Sequence, residues 1–226
     1  MRFLLVRHGA TANNAQGRFT GQSDIPMSAL GMRQAEALAS RLGRQPLDAV
    51  VSSDLRRASD MARRIAAQHD MALQLDPDLR EISMGNWEGA AMDEIQAREP
   101  EQARRWRADS LSYTPPGGET ILQVRDRLMR SLARWYADYP DGTVLWVTHG
   151  GCIGILLCHL LGVDLRRRWQ FRKDNAALSE LEIGSFQASL DGEAEPPTSI
   201  VVARLNDTSH LDGLAEAEAA ERFQVL

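Results

Sequence analysis

The sequence is poor in the residues that cross-link, ligate metals or span membranes. Two cysteines stand among 226 residues, Cys152 and Cys158, both in one apolar segment. They make neither a disulfide framework nor a metal quartet, and they fit a reducing compartment such as the cytoplasm. H-E-x-x-H, C-x-x-C and aspartate ladders are missing, so no motif supports a metal centre or another cofactor. Neither G-x-x-x-x-G-K-[ST] nor G-x-G-x-x-G follows an apolar run, which removes the nucleotide-cradling folds. No uncharged apolar run reaches the roughly 18 residues of a membrane span. The most apolar stretch, residues 143–163, is broken by His149, Gly150, Gly151 and His159. The N-terminal apolar run, residues 3–6, is too short for a signal sequence and stops at Arg7 and His8. Lysine is nearly absent: Lys173 is the single lysine among 26 cationic residues, set against 31 acidic ones for a net charge of −5. That balance denies a basic footprint for nucleic acid or an anionic membrane. The arginine bias runs through the whole chain, so only the position of an arginine carries information.

Apolar residues at 43% and charged residues at 25% match globular averages and exclude disorder, collagen and coiled coil. The length suits a single domain over residues 1–226, with room for an inserted lobe. Residues 3–6 read as a buried strand and 9–27 as a long loop. Ser28 caps a helix to about Leu42, with Leu30, Ala35, Leu38 and Leu42 as its apolar stripe. Residues 49–51 read as a second strand. Ser52, Ser53 and Asp54 form a capping cluster for a helix to about His69. Residues 72–75 read as a third strand. The alternation then stops, and residues 85–118 hold short helical pieces that suit a cap over one end of a sheet. Ile121, Val124, Leu128, Leu132 and Trp135 give the period of a long helix. Residues 143–147 read as a fourth strand, 152–161 as a helix, and 178–183 and 200–205 as two late strands. The tail from Leu214 reads as helical or frayed. Strands alternating with helices imply a three-layer α/β/α sandwich on a mostly parallel sheet.

In such sheets ligands bind beyond the carboxyl ends of the strands. Arg7, His8 and Gly9 follow the first strand. Ser52, Ser53 and, one turn on, Arg56 and Arg57 follow the second. Arg80 and Glu81 follow the third, and Thr148, His149 and Gly150 the fourth. Two histidines, several arginines and a carboxylate at one sheet edge suit phosphoryl transfer: a nucleophile, cations for the equatorial oxygens and a proton donor. Glycine after each histidine lets a ligand approach the backbone closely. Arg56 and Arg57 diverge by about 100° on a helix, so at most one enters the site. His69, His159 and His210 read as packing or surface residues.

The blocks that carry these residues resemble a known family. The segment Arg7-His8-Gly9-Ala10-Thr11 is similar to the R-H-G signature of the histidine phosphatase superfamily, the phosphoglycerate mutase-like family. Residues 17–28, Ser53-Asp54-Leu55-Arg56-Arg57-Ala58, Leu79-Arg80-Glu81 with Gly85-Asn86-Trp87-Glu88-Gly89, Pro116-Gly117-Gly118-Glu119-Thr120 and Val147-Thr148-His149-Gly150-Gly151 resemble its further blocks, in family order. The resemblance implies that His8 is a nucleophile forming a phosphohistidine. It implies that Arg7, Arg57, His149 and Asn14 hold the phosphoryl oxygens, and that Glu81 is general acid and then base. It selects Arg57 over Arg56, and adds Thr20, Gly21, Gln22 and Gly150 as phosphate or substrate contacts. Met61 stands where relatives often carry threonine, a change expected to affect packing alone.

The expected activity is therefore a metal-independent, histidine acid-type phosphatase acting on a small phosphomonoester. A cofactor-dependent phosphoglycerate mutase is the alternative, disfavoured because Arg80-Glu81-Ile82-Ser83-Met84-Gly85 and a short cap replace the E-R-H-Y-G segment of glycolytic mutases. A non-catalytic phospholigand-binding protein would be expected to lose His8 or Glu81. Trp87, Trp106, Tyr113, Arg104, Arg105 and Arg107 are the expected substrate-facing groups of the cap. No nucleic acid or membrane partner is expected, and a homodimer stays open.

Overall fold

Residues 3–6 are buried on both sides of the chain, as a central strand of a covered sheet requires. They form the middle of β1 (Arg2–Arg7). The other strands are β2 (Ala49–Ser52), β3 (Gln74–Leu75), β4 (Thr143–Thr148), β5 (Leu178–Ile183) and β6 (Ile200–Asp207). The computed structural model describes residues 1–186 and 197–214. It orders the strands β3-β2-β4-β1-β5-β6 in one sheet. β1 to β4 run parallel, while β5 and β6 add antiparallel at one side.

Side chains alternate across each strand and so feed two cores. Leu4 and Val6 of β1 pack with Val50, Leu145 and Val147 under the helices α2 (Ala29–Leu42) and α3 (Arg56–Ala67). Phe3 and Leu5 pack with Val51, Val144 and Trp146 under α6 (Ile121–Asp138) and α7 (Gly150–Leu160). This makes the α/β/α sandwich expected from the sequence. Ser28 caps α2 by accepting from the Gly31 N–H at 3.2 Å. Thr120 caps α6 in a reciprocal box with Gln123. α7 is apolar on all faces because it is wedged between the sheet and the chain that follows. Met61 is fully buried among these residues, so the departure at that position is a packing change.

Several local expectations change. The third strand shrinks to Gln74–Leu75, both exposed, because β3 is an edge that pairs with only the last two residues of β2. The N-cap of α3 is Leu55, with no side-chain cap bond. Of the expected capping cluster, Ser53 accepts from the Leu55 N–H at 3.3 Å, while Asp54 is drawn away by Arg80. The 9–27 loop contains a single helical turn, α1 (Ala12–Ala15), capped by Thr11. The expected tail helix falls on residues 215–226, which lie outside the described residues.

Residues 85–118 contain α4 (Met92–Arg98) and α5 (Pro100–Ala108). Met84, Trp87, Ala90, Ile95 and Ala103 form a small core of their own, with Phe19, Trp106 and Tyr113 against it. Arg18 ties this segment to the first loop by donating to both Glu94 oxygens at 2.8 Å and to the Gly89 carbonyl at 2.8 Å.

Candidate active site

Strand register determines which residues meet. β1 and β4 pair Arg7 with Thr148, so the residues that follow, His8 and His149, leave neighbouring strand ends together. Their rings lie 5.1 Å apart between centroids and both are buried. His8 helps to line a cavity of about 250 Å³ together with Arg7, Asn14, Arg57 and Glu81, whereas His149 is fully buried beside His8 and does not itself line it.

The hydrogen bonds fix the tautomers. A carbonyl only accepts, so the 2.8 Å contact between His8 Nδ1 and the Gly9 oxygen places the proton on Nδ1 and leaves Nε2 with its lone pair. Arg57 Nε–H only donates, so His149 Nδ1 accepts it at 3.3 Å. The His149 proton is then on Nε2, which is buried and has no partner among the described residues. A buried, unpaired donor of this kind is costly unless a ligand accepts from it. Burial pushes the pKa of both imidazoles well below the ordinary value, and the guanidiniums of Arg57 and Arg7 push the same way. His8 is therefore held neutral, with the Nε2 lone pair free.

Arg57 is fully buried. Its Nη2 donates to the Gly21 carbonyl at 2.7 Å and its Nη1 to the Ser23 carbonyl at 2.8 Å. Arg56, its neighbour, is exposed, and its backbone N–H donates to Asp24 at 2.7 Å. Helix phase thus sends one guanidinium into the cavity and the other to solvent. Arg7 donates to the Lys173 carbonyl, and its Nε is buried without a partner. Asn14 Oδ1 accepts from the Thr11 N–H at 3.1 Å, the Thr11 hydroxyl at 3.0 Å and Asn175 at 3.2 Å. These three donors turn the Asn14 amide so that its N–H groups are the ones left for the cavity.

Glu81 faces this set. Its Oε2 accepts from the Gly151 N–H at 3.0 Å and its Oε1 from the Ile82 N–H at 2.9 Å. A Cβ on Gly151 would sit 2.4 Å from Oε1, so the carboxylate approaches α7 only because residue 151 is glycine. Gly150 similarly passes under the Arg7 guanidinium. Gly21 has φ +52°, and a Cβ there would meet Glu88 Oε1 at 2.1 Å. Thr20 lines the cavity with a buried, unpartnered hydroxyl.

Gln22 does not line the cavity. Its amide donates to the Glu81 carbonyl at 3.1 Å and to Glu119 at 3.0 Å, behind the cavity wall. Arg127 donates to the same Glu81 carbonyl at 3.1 Å and grips Glu119 at 3.0 and 3.1 Å. Gln22, Glu119 and Arg127 therefore hold the backbone that carries Glu81. Arg127 is the residue sequence reasoning missed here. Its signal was an arginine three places after Val124, within the buried side of α6. Arg80 pairs with Asp54 and stays outside the cavity. Cys152 lies under Glu81, its thiol pushed up to about 12 by burial, so it stays protonated and inert.

The expected cap contacts are redistributed. Trp106 and Tyr113 line the cavity, but Trp87 is fully buried in the core beneath them. Arg104 pairs with Glu101, Arg107 donates to Gln96, and Arg105 lies 5.2 Å from the Tyr113 ring centre, all three away from the cavity. Its cations beyond the floor are instead Arg18, Arg168 and Lys173. Among the described residues no group of three or more His, Cys, Asp or Glu is placed to hold a metal ion, and no helix is long and apolar enough to cross a membrane.

The chain is similar to known proteins over most of its length. The sequence model of the histidine phosphatase superfamily (branch 1) matches residues 3–194. A phosphoserine phosphatase 1 of Hydrogenobacter thermophilus is 31% identical over 211 residues, covering 93% of this chain and 94% of that protein. A glucosyl-3-phosphoglycerate phosphatase of Mycobacterium tuberculosis is 40% identical over 169 residues, covering 71% of this chain and 75% of the relative. The crystal structure of a putative α-ribazole-5'-P phosphatase from Escherichia coli superposes with a TM-score of 0.81 at 27% identity, covering 92% of this chain and 96% of that one.

Proposed function

Because the chain belongs to the histidine phosphatase superfamily, branch 1, we propose that it hydrolyses a small phosphomonoester through a phosphohistidine on His8. The observation that carries this reading is the pair of opposed tautomers: a lone pair on His8 Nε2 beside a buried, unpartnered N–H on His149.

In the first step His8 Nε2 attacks phosphorus in line with the leaving oxygen. The N–P bond forms as the P–O bond breaks, and the equatorial oxygens gain charge. Arg7, Arg57, the His149 Nε2–H and the Asn14 amide donate to those oxygens, and their charge is in place before the reaction starts. Glu81 in its acid form gives its proton to the departing alkoxide. In the second step the Glu81 carboxylate takes a proton from water, whose oxygen attacks phosphorus and returns the electron pair to His8. Thr20, Gly21 and Gly150 shape the phosphate seat, and Gln22 acts through Glu81. Residues 85–118 are a cap inserted in a single domain. The acid-type character follows from His8, because an imidazole held well below its ordinary pKa stays nucleophilic in mild acid.

The test is phosphate release across a panel of metabolite phosphomonoesters, with 3-phosphoglycerate scored for isomerisation in the same assay. Release from several members without isomerisation is the expected result. Isomerisation outpacing release would make the chain a mutase.

A further inference from the structure

We propose that the preferred substrate carries a carboxylate on its alcohol half, seated on Arg168 and Lys173. This rests on the phosphatase reading above and extends it to the leaving group. The residues come from the segment after α7, which belongs to none of the sequence blocks that carry the phosphate chemistry.

A one-sided charge balance is the first support. Four cations line the cavity without a carboxylate partner among the described residues: Arg7, Arg57, Arg168 and Lys173. Arg18 is excluded from that set because Glu94 holds it. Glu119 is likewise committed to Arg127, which leaves Glu81 as the one free carboxylate. With Glu81 carrying the proton it gives up in the first step, the surplus in the substrate complex is four positive charges. A phosphomonoester brings close to two negative charges at neutral pH, so two cations remain unmatched and call for a further anionic group. A carboxylate accepts from a guanidinium and an ammonium together through its two oxygens.

Position is the second support. The 3-10 turn Leu165–Gln170 packs against Gly154 of α7, where a Cβ would lie 2.9 Å from the Arg168 carbonyl. Arg168 is almost fully buried, donates to the Leu165 carbonyl at 3.0 Å and to the Ser110 hydroxyl, and keeps three of its five N–H groups free of these bonds. Its guanidinium lies 4.7 Å from the centre of the Trp169 ring. Asp109 is near but is occupied by Arg166 and Ser112. Lys173 donates to the Arg168 and Phe171 carbonyls, both at 2.8 Å, and keeps its third N–H. Arg7 donates to the Lys173 carbonyl and Lys173 in turn donates to the Arg168 carbonyl, so the two cations continue the cavity wall from Arg7. Trp106 and Trp169, 6.3 Å apart between ring centres, wall the same route. Burying fixed cations without counter-charge is unfavourable, and an anionic leaving group removes that penalty.

The experiment compares 3-phosphoglycerate with glycerol 3-phosphate, which replaces the carboxylate by a hydroxymethyl group, and adds p-nitrophenyl phosphate as a generic ester. A charge-assisted pair corresponds to about 10–100-fold in kcat/KM, so the wild-type enzyme should favour 3-phosphoglycerate by that factor. Arg168→Gln and Lys173→Gln should each erode the preference at least about 5-fold, through the KM for 3-phosphoglycerate. If Arg168→Gln does not fold, Lys173→Gln carries the comparison. Hydrolysis of p-nitrophenyl phosphate with no preference between the two glyceryl esters overturns the proposal and leaves the phosphatase reading standing. A preference that survives in both folded variants also overturns it. Failure to hydrolyse any of the three esters removes the phosphatase reading itself.

Discussion

Replacing Arg57 by alanine separates the catalytic from the structural work of one side chain. Arg57 is fully buried and gives N–H bonds to the Gly21 and Ser23 carbonyls and to His149. Removing it deletes a preorganised charge from the cavity proposed to hold the phosphoryl group. Loss of one such donor costs about 3–4 kcal/mol of transition-state stabilisation, or roughly 10²–10³ in kcat/KM. The substitution also frees His149 Nδ1 to take the proton, which would turn its lone pair toward the phosphate. Three acceptors lose their donor, but the cavity admits water, and burial already opposes the guanidinium charge. The stability loss should therefore be modest, about 1–2 kcal/mol, or roughly 2–8 °C in Tm for a domain of this size. Arg56→Ala is the internal control. Its side chain is exposed, and the bond it makes to Asp24 is through a backbone N–H that alanine retains, so both activity and stability should stay within about 0.5 kcal/mol. Steady-state kinetics and thermal melts on the two variants and wild type decide the matter. Near-wild-type kcat/KM in folded Arg57→Ala, or equal damage from Arg56→Ala, would refute the assignment.

Gly151→Ala should lower kcat about 10–100-fold with little change in Tm, since the new Cβ displaces the Glu81 carboxylate, a flexible end, rather than backbone; unchanged kcat would show that the Gly151–Glu81 contact is not needed. Stability should fall as pH drops below about 6.5. His8 and His149 are held neutral in the fold, so the unfolded chain binds more protons there, at up to about 1.4 kcal/mol per pH unit for each histidine. Urea unfolding at pH 7.5 and 5.5 should show a smaller loss for His149→Gln than for wild type, and equal losses would contradict the buried-neutral assignment. Activity should survive exhaustive chelation, because guanidiniums supply the charge a cation would otherwise bring; a loss restored by one divalent ion would overturn that view.

The residues at the strand ends were legible because strand, turn and chemistry coincide in sequence. A continuous apolar run followed by Arg7-His8-Gly9 or Thr148-His149-Gly150 announces a buried strand delivering a polar group to the sheet edge. What the sequence could not convey depends on side-chain direction and on contacts between distant segments. Arg104, Arg105 and Arg107 looked like substrate contacts by proximity to Trp106, yet the phase of α5 turns them outward. Arg168 and Lys173 sit in a short 3-10 turn and the irregular chain after it, with no period to read. Their arrival at the cavity depends on the close packing at Gly154. Gln22 and Arg127 converge on the Glu81 carbonyl from positions 22 and 127, a meeting that only tertiary structure creates. The weak edge β3 was overestimated because β-propensity alone does not say how many partners a strand has.

The covalent role of His8 is the centre of this account, and rapid quenching into base tests it most directly. Phosphohistidine is acid-labile and base-stable, so wild-type enzyme mixed with a turning-over phosphomonoester, quenched at high pH and digested should carry one phosphoryl group on the peptide containing His8. The label should be absent from His8→Ala, which should fold and lack turnover. A phosphoryl group on any other residue, or a folded His8→Ala protein with turnover comparable to wild type, would contradict the mechanism.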